Sequence, residues 1–268
     1  MFKKKILITG GPTNEYIDEV MKITNMSTGN LAIGLAQLFA DYCKVTLLLT
    51  KSIKNPILST LLENKNFKLV RFETTEDLLN AIEEEAKTTK YDAIIHSAAV
   101  ADYKPEFSFR LEDIAEEIAR NVVSSVTYHE ADHSLDGQEK IKQMILATLR
   151  NPCCKVNDST KISSTEPNLT VKLGLTPKII SSLRTLFPKA YICGFKLLEN
   201  VSEEELIDAA TKQIRRCNTD VVFANDLAEL RKGNYQRIVV LPDGTSDIRV
   251  NSTYGIFDFI KTRLNLSK

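Results

Sequence analysis

The sequence predicts an α/β three-layer sandwich, with a mainly parallel sheet covered by helices on both faces, a C-terminal hairpin and an inserted helical segment. Three observations predict it. Short apolar runs of strand length alternate with helical patterns along most of the 268 residues. Near the end, two such runs flank the turn Pro242-Asp243-Gly244. Between residues 104 and 160 the alternation lapses into two helical stretches joined by polar residues.

In order, buried strands are expected at residues 5–8, 45–49, 67–72, 93–96, 169–173, 190–194 and 221–223, each apolar and too short for a helix. Thr74 is placed to cap a helix carrying Leu78, Leu79, Ile82 and Ala86 on one face. Ser202 and Glu205 have capping-box spacing ahead of Leu206, Ala210 and Ile214. The hairpin takes residues 236–241 and 247–250, and a last helix 256–264. Residues 111–123 and 138–149 are the two helices of the insertion, a flap or an oligomer contact. The expectation is one domain over 1–268, with the insertion at about 104–160.

Charges balance at 35 basic against 35 acidic residues, so no net field draws nucleic acid or a membrane surface. The five cysteines lack zinc spacing and suit reduced, buried thiols. Met1-Phe2-Lys3-Lys4-Lys5 runs straight into a strand, a poor signal peptide, and no apolar stretch reaches the roughly 20 residues of a membrane span. A soluble, cytoplasmic protein is expected.

Chemistry concentrates in separated segments. Gly10, Gly11, Pro12 and Thr13 follow the first strand, where backbone N–H groups can hold phosphate and where glycine is also ordinary turn chemistry. No third glycine follows at dinucleotide spacing. Asn25-Met26-Ser27-Thr28-Gly29-Asn30 precedes a helical run through Leu31, Ile33 and Leu35. Ser27 or Thr28 can cap that helix, and its N-terminus favours an anion. Capping alone leaves Asn25 unexplained. The segment from His96 to Tyr103 ends a strand with small residues that admit a flat ring or ribose, and Asp102 can accept from hydroxyl or amino groups. His96 itself reads as a packed strand-end histidine. Lys161, Lys172 and Lys178 can neutralise a triphosphate or simply face solvent. His129, Asp132 and His133 suggest a metal less than an exposed polar loop. None of the eight tyrosines has a lysine four residues on, which removes the short-chain reductase chemistry.

Together, Ile8 to Thr13, Thr24 to Gly29, Ser97 to Tyr103, Lys161 to Leu173, Gly194-Phe195-Lys196-Leu197 and Asp220 to Asp226 resemble the phosphopantothenate–cysteine ligases (phosphopantothenoylcysteine synthetases), in family order and over nearly the whole chain. The resemblance implies a Rossmann-like sheet, a homodimer, and a monofunctional form lacking a decarboxylase domain. It also implies a reaction in which the carboxylate of 4′-phosphopantothenate displaces pyrophosphate from a nucleoside triphosphate, with Mg²⁺ on the phosphates. The amine of cysteine then takes the acyl group from the acyl-nucleotide.

By the same resemblance Asn25 holds the acyl-nucleotide and Lys161 faces phosphate. Ala99 and Asp102 wall the nucleotide, Tyr103 is a further substrate or nucleotide contact, Phe195 meets its base or sugar, and Asn225 closes the site. Departures are Met21 where an arginine is common, Asn30-Leu31-Ala32 after the loop, and Ser163-Ser164 where bacterial fused members have lysines. Lys212 and Arg216 stand one position off the family's phosphate lysines. The short form favours CTP, and the serine pair keeps ATP open. The alternatives are a nucleotide sensor or scaffold without turnover, and the disfavoured reductase.

Overall fold

A computed structural model describes residues 4–128, 137–156 and 161–267. In chain order the elements begin with β1 (Lys5–Gly10), β2 (Asn14–Tyr16), β3 (Lys22–Thr24), α1 (Asn30–Phe39), β4 (Lys44–Thr50), α2 (Ile57–Leu62), β5 (Phe67–Phe72) and α3 (Thr75–Thr88). Next come β6 (Ala93–His96), β7 (Tyr103–Arg110), α4 (Leu111–Tyr128), α5 (Gly137–Arg150), β8 (Lys155–Val156) and β9 (Leu169–Leu175). The chain ends with α6 (Ile179–Leu186), β10 (Tyr191–Leu198), α7 (Glu203–Cys217), β11 (Val221–Asp226), α8 (Leu227–Arg231), β12 (Arg237–Val240), β13 (Ile248–Val250) and α9 (Thr253–Arg263).

Two compact units result. The first comprises Met1–Asn14, Thr24–Asp102 and Pro177–Lys268. It holds an eight-stranded sheet in the order β13-β12-β11-β10-β6-β1-β4-β5. The six strands from β5 to β11 run parallel, β12 pairs antiparallel with β11, and β13 pairs antiparallel with β12. Side chains of these strands alternate between two apolar layers. Ile6, Ile8, Leu47 and Phe223 face α1 and α9, with Phe39 and Phe257 meeting edge-on at 4.8 Å. Leu7, Leu48, Ile94 and Ile192 face α3 and α6, and Val222 and Ala224 face α7. The expected mainly parallel α/β sandwich is borne out.

Local sequence explains the helices. Thr74 and Asp77 form a reciprocal capping box at the start of α3, and Ser202 and Glu205 form the same box at α7. Each contributes about 1 kcal/mol. Leu78 and Ile82 of α3 are fully buried, and each fully buried aliphatic side chain contributes about 1.5–3 kcal/mol. At α1 the expectation of a hydroxyl cap fails. Gly29 is the N-cap, in the left-handed region at φ 68°, and no side chain caps the helix.

The second unit comprises Glu15–Ile23 and Tyr103–Thr176. Its core is a three-stranded antiparallel sheet, β8-β7-β9, with Phe107 and Phe109 packed on Ile114 of α4. Two expectations are corrected here. The 169–173 strand belongs to this small sheet rather than the main one, and Tyr103–Arg110 is a strand. Pro105 conceals it: proline cannot donate to a ladder, and the register slips between Pro105 and Phe107. The unit also reaches further than the 104–160 segment. Cys153 and Cys154 are not buried, unlike Cys43, Cys193 and Cys217. No helix among the described residues is long and apolar enough to cross a membrane.

Candidate functional site

In the first unit, β1 lies between β4 and β6, so the chain leaves β1 to one side and later returns on the other. The carboxyl ends of strands at such a switch point open a crevice where ligands sit in open α/β sheets. Here the β1 and β6 loops stay zipped past the strand ends. Ala99 N–H donates to Gly11 O at 2.9 Å, Thr13 N–H donates to Ala99 O at 3.2 Å, and Ser97 Oγ donates to Thr9 O at 2.7 Å. Thr13 is fully buried, and its Oγ1 accepts from Ala101 N–H at 2.9 Å. Gly10 to Thr13 and Ser97 to Ala101 are thus tied into one rim.

Asn25 joins that rim from a distant part of the chain. Its Nδ2 donates to Ala99 O at 3.2 Å and Val100 O at 3.1 Å. Both amide hydrogens are therefore committed, and the acceptor Oδ1 is the end left for a ligand. Thr24 Oγ1 holds the same loop by donating to Thr13 O at 3.0 Å. Gly11, at φ +82°, and Gly29 approach so closely that a Cβ on either would strike Ile53 Cδ1, at 2.5 and 2.6 Å. Those glycines serve backbone packing around the rim. Because α1 lacks a side-chain cap, its first N–H groups add positive potential there. Ser27 is half-buried and Thr28 exposed, with Thr28 Oγ1 accepting only weakly from Asn30 N–H at 3.4 Å.

Of the other expected residues in this unit, Asp102 is exposed and ion-paired with Lys178. Phe195 stacks on Phe223 with ring centroids 5.3 Å apart. Asn225 lies near the carboxyl end of β11, 8% exposed. Lys212 and Arg216 are not brought to this edge. α7 runs back from the end of β10 towards the start of β11, both residues are exposed, and Lys212 is paired with Asp208 at 2.6 Å.

Tyr103 and Lys161 belong to the second unit. Tyr103 opens β7 and is 52% exposed. Lys161 is exposed, and the backbone of its neighbour Ile162 is held by a residue that sequence reasoning missed, Asp18. The buried Asp18 carboxylate accepts from Met21 N–H at 2.6 Å, Val20 N–H at 2.7 Å and Ile162 N–H at 2.9 Å. Those N–H groups, Met21 first and then Ile162, hold its pKa below the usual aspartate value, and Lys161 adds to the effect. Met21 contributes backbone here and leaves its side chain exposed, while Ser163 Oγ is engaged in a local turn with Thr165. The Ile-Asp-Glu-Val run gave no sign that its aspartate would reach residue 162.

His96 is a packed strand-end histidine. It is 7% exposed, its Nδ1 meets Thr9 Oγ1 at 2.8 Å, and burial pushes its pKa down to about 4. The folded state therefore holds the neutral ring, and the unfolded chain binds the proton first as pH falls. The contribution is complete above the unfolded pKa of 6.5 and is lost as pH drops through about 4, roughly 3 kcal/mol in all. Urea unfolding at pH 7 and pH 4.5 checks this: His96→Gln should flatten the acid loss of stability relative to the parent. Among the described residues no three of His, Cys, Asp or Glu form a metal cluster, and His129, Asp132 and His133 lie outside the described residues.

Comparison with known proteins places this geometry. Residues 1–124 match the family model of the DNA/pantothenate metabolism flavoprotein C-terminal domain. The coenzyme A biosynthesis bifunctional protein CoaBC of Thermococcus kodakarensis is 33% identical over 240 residues, 89% of this chain. The match covers 44% of that protein, so the chain spans under half the length of this relative. The crystal structure of the DNA/pantothenate metabolism flavoprotein from Streptococcus pneumoniae matches with a TM-score of 0.70 at 29% identity, covering 98% of both chains. A Cab2 variant in complex with phosphopantothenate-cysteine shares the fold at a TM-score of 0.62 and 20% identity, covering 98% of this chain and 86% of that one. The chain is thus similar in sequence and in fold to the DNA/pantothenate metabolism flavoproteins and CoaBC proteins, and its first 124 residues match their C-terminal domain family, as the motif resemblance implies.

Proposed function

We propose that the chain joins the carboxylate of 4′-phosphopantothenate to the amine of cysteine, with a nucleoside triphosphate as activator. The carboxylate oxygen attacks the α-phosphorus and pyrophosphate leaves. The cysteine amine then attacks the acyl carbon, the nucleoside monophosphate leaves, and the amine's proton passes to solvent. Neither step needs a protein nucleophile, so catalysis rests on placement and charge stabilisation. The observation that carries this reading is the docking of Asn25 onto Ala99 and Val100, which fixes one amide acceptor at the mouth of the switch-point crevice. The Cab2 complex supports it, since its ligand contains the two halves that this reaction joins.

The whole chain, 1–268, acts in this reading as one cytoplasmic ligase, working as a homodimer, with CTP preferred to ATP and Mg²⁺ carried on the nucleotide phosphates. Gly10 to Thr13, Ser27, Thr28, Gly29, Ala99 and Asp102 bind nucleotide and acid, with Phe195 and Asn225 beside them, and the motif resemblance adds Tyr103 as a ligand contact. Lys161 meets phosphate.

Pyrophosphate release that requires both 4′-phosphopantothenate and CTP or ATP, with amide formed on adding cysteine, is the expected result. Nucleotide binding without pyrophosphate would leave the sensor reading, and NADPH oxidation with a carbonyl substrate would revive the reductase. Lys161→Gln should raise the KM for nucleotide about tenfold to a hundredfold, because a charge-assisted hydrogen bond is worth roughly 1.5–3 kcal/mol. Unchanged nucleotide kinetics would remove Lys161 from the site.

A further inference from the structure

Two polar side chains of the first unit sit at the carboxyl edge of the main sheet without the partners their burial demands. β11 and β12 pair antiparallel with Phe223 opposite Val239 and Ala224 opposite Ile238. Just past the last pair, Asn225 and Arg237 come next on the two strands, each two positions from Phe223 or Val239 and so on their face. That face is the one carrying Phe223 and Val239, covered by α1 and α9. Asn225 is 8% exposed, yet among the described residues its amide makes no side-chain hydrogen bond. The amide nevertheless keeps a window to solvent, because the fully enclosed unpaired side-chain atom among the described residues is Thr219 Oγ1.

Arg237 is half-buried, and no carboxylate among the described residues pairs with it. One of its five donors reaches Tyr235 O at 3.1 Å. Burial lowers its pKa, and no neighbouring acid opposes that. A partly desolvated cation without a counter-charge costs free energy in the ligand-free fold, and an anion seated against it recovers that cost. The exposed Lys178 on Asp102, by contrast, already has its counter-charge.

We propose that Arg237, with Asn225 beside it, forms a phosphate-binding subsite at the carboxyl edge of the sheet. The inference deepens the ligase reading and depends on it for the ligand's identity. The phosphate belongs either to the nucleoside triphosphate or to the 4′ end of phosphopantothenate. Planar guanidinium suits either, through paired N–H donors to two oxygens.

The test is calorimetric titration of Mg²⁺-CTP, Mg²⁺-ATP and 4′-phosphopantothenate into the intact protein, Arg237→Gln and Arg237→Lys. Cytidine, adenosine and pantothenate serve as counterparts without phosphate. Arg237→Gln should weaken one class of phosphorylated ligand by about tenfold or more, with partial recovery in Arg237→Lys and no change for the counterparts. Its melting temperature without ligand should equal or exceed that of the parent, an outcome opposite to that of a structural arginine. Loss confined to the nucleotides assigns the subsite to the triphosphate, and loss confined to phosphopantothenate assigns it to the 4′-phosphate. Unchanged affinities, or equal losses with and without phosphate, overturn the subsite. A parent protein that binds these ligands but releases no pyrophosphate overturns the ligase reading alone, and one that binds none of them overturns both.

Discussion

Asn25→Ala should cut amide formation by about 10²–10³-fold while pyrophosphate release persists, an effect of the size seen when one positioned hydrogen-bonding group is removed from a transition state. The asymmetry follows from geometry. Asn25 spends both amide hydrogens on Ala99 O and Val100 O, so the substitution removes an acceptor from the crevice and loosens the loop that carries it. In the proposed reaction, activation of the acid depends on phosphate contacts elsewhere, so it should continue while the acyl-nucleotide accumulates or leaks to hydrolysis. Quenched-flow measurement of pyrophosphate and amide in the same reaction separates the steps. Asn25→Asp keeps an acceptor but loses both docking donors, so it should not restore the rate. Equal losses of pyrophosphate and amide would move Asn25 to the activation step, and normal turnover would remove it from the site.

Gly11→Val should destabilise the first unit by roughly 2–6 kcal/mol, combining about 1–3 for a left-handed backbone and about 1–3 for overpacking. The backbone there has φ +82°, and the added Cβ would stand 2.5 Å from Ile53 Cδ1 and 2.6 Å from Thr50 Oγ1. Thr50 cannot retreat freely, because its hydroxyl donates to Pro12 O and so fixes the rim. For a chain of this size the melting temperature should fall by at least about 4 °C. Gly11→Ala shares the backbone strain with fewer atoms to seat and should fall between the two. A valine variant melting with the parent would show that the loop relaxes at no cost.

What could be read from the sequence was what local chemistry determines. Phe67–Phe72 and Ala93–His96 are strands within the expected bounds because short apolar runs leave no alternative element. Ser202 and Glu205 mark the start of α7 because capping is settled over four residues. β7 was hidden because Pro105 argues against a strand, and only the alternation of Phe107 with Phe109 argues for one. The cap of α1 was misplaced because two hydroxyls precede Gly29, and the close approach of Ile53 that favours glycine is a tertiary fact.

At the candidate site the same division holds. Gly10 to Thr13, Ala99 and Asn25 converge as their motifs imply. Asp18 and Arg237 were passed over because their significance lies in which groups they meet. Asp18 meets an N–H 144 residues away, and Arg237 meets no acid at all among the described residues.

The second unit is assembled from two stretches of chain, with all of Thr24–Asp102 threaded between them. Its short piece brings Asp18, whose carboxylate clasps Ile162. Expressing 103–176 as an isolated fragment would therefore leave Ile162 N–H without its acceptor and Lys161 without a fixed backbone beside it. Supplying 15–23 as a separate peptide would have to replace, by concentration, what covalent tethering through Thr24–Asp102 provides. Evolutionary exchange of this unit between relatives is constrained in the same way: its two stretches must move together, or the backbone beside the lysine loses its footing.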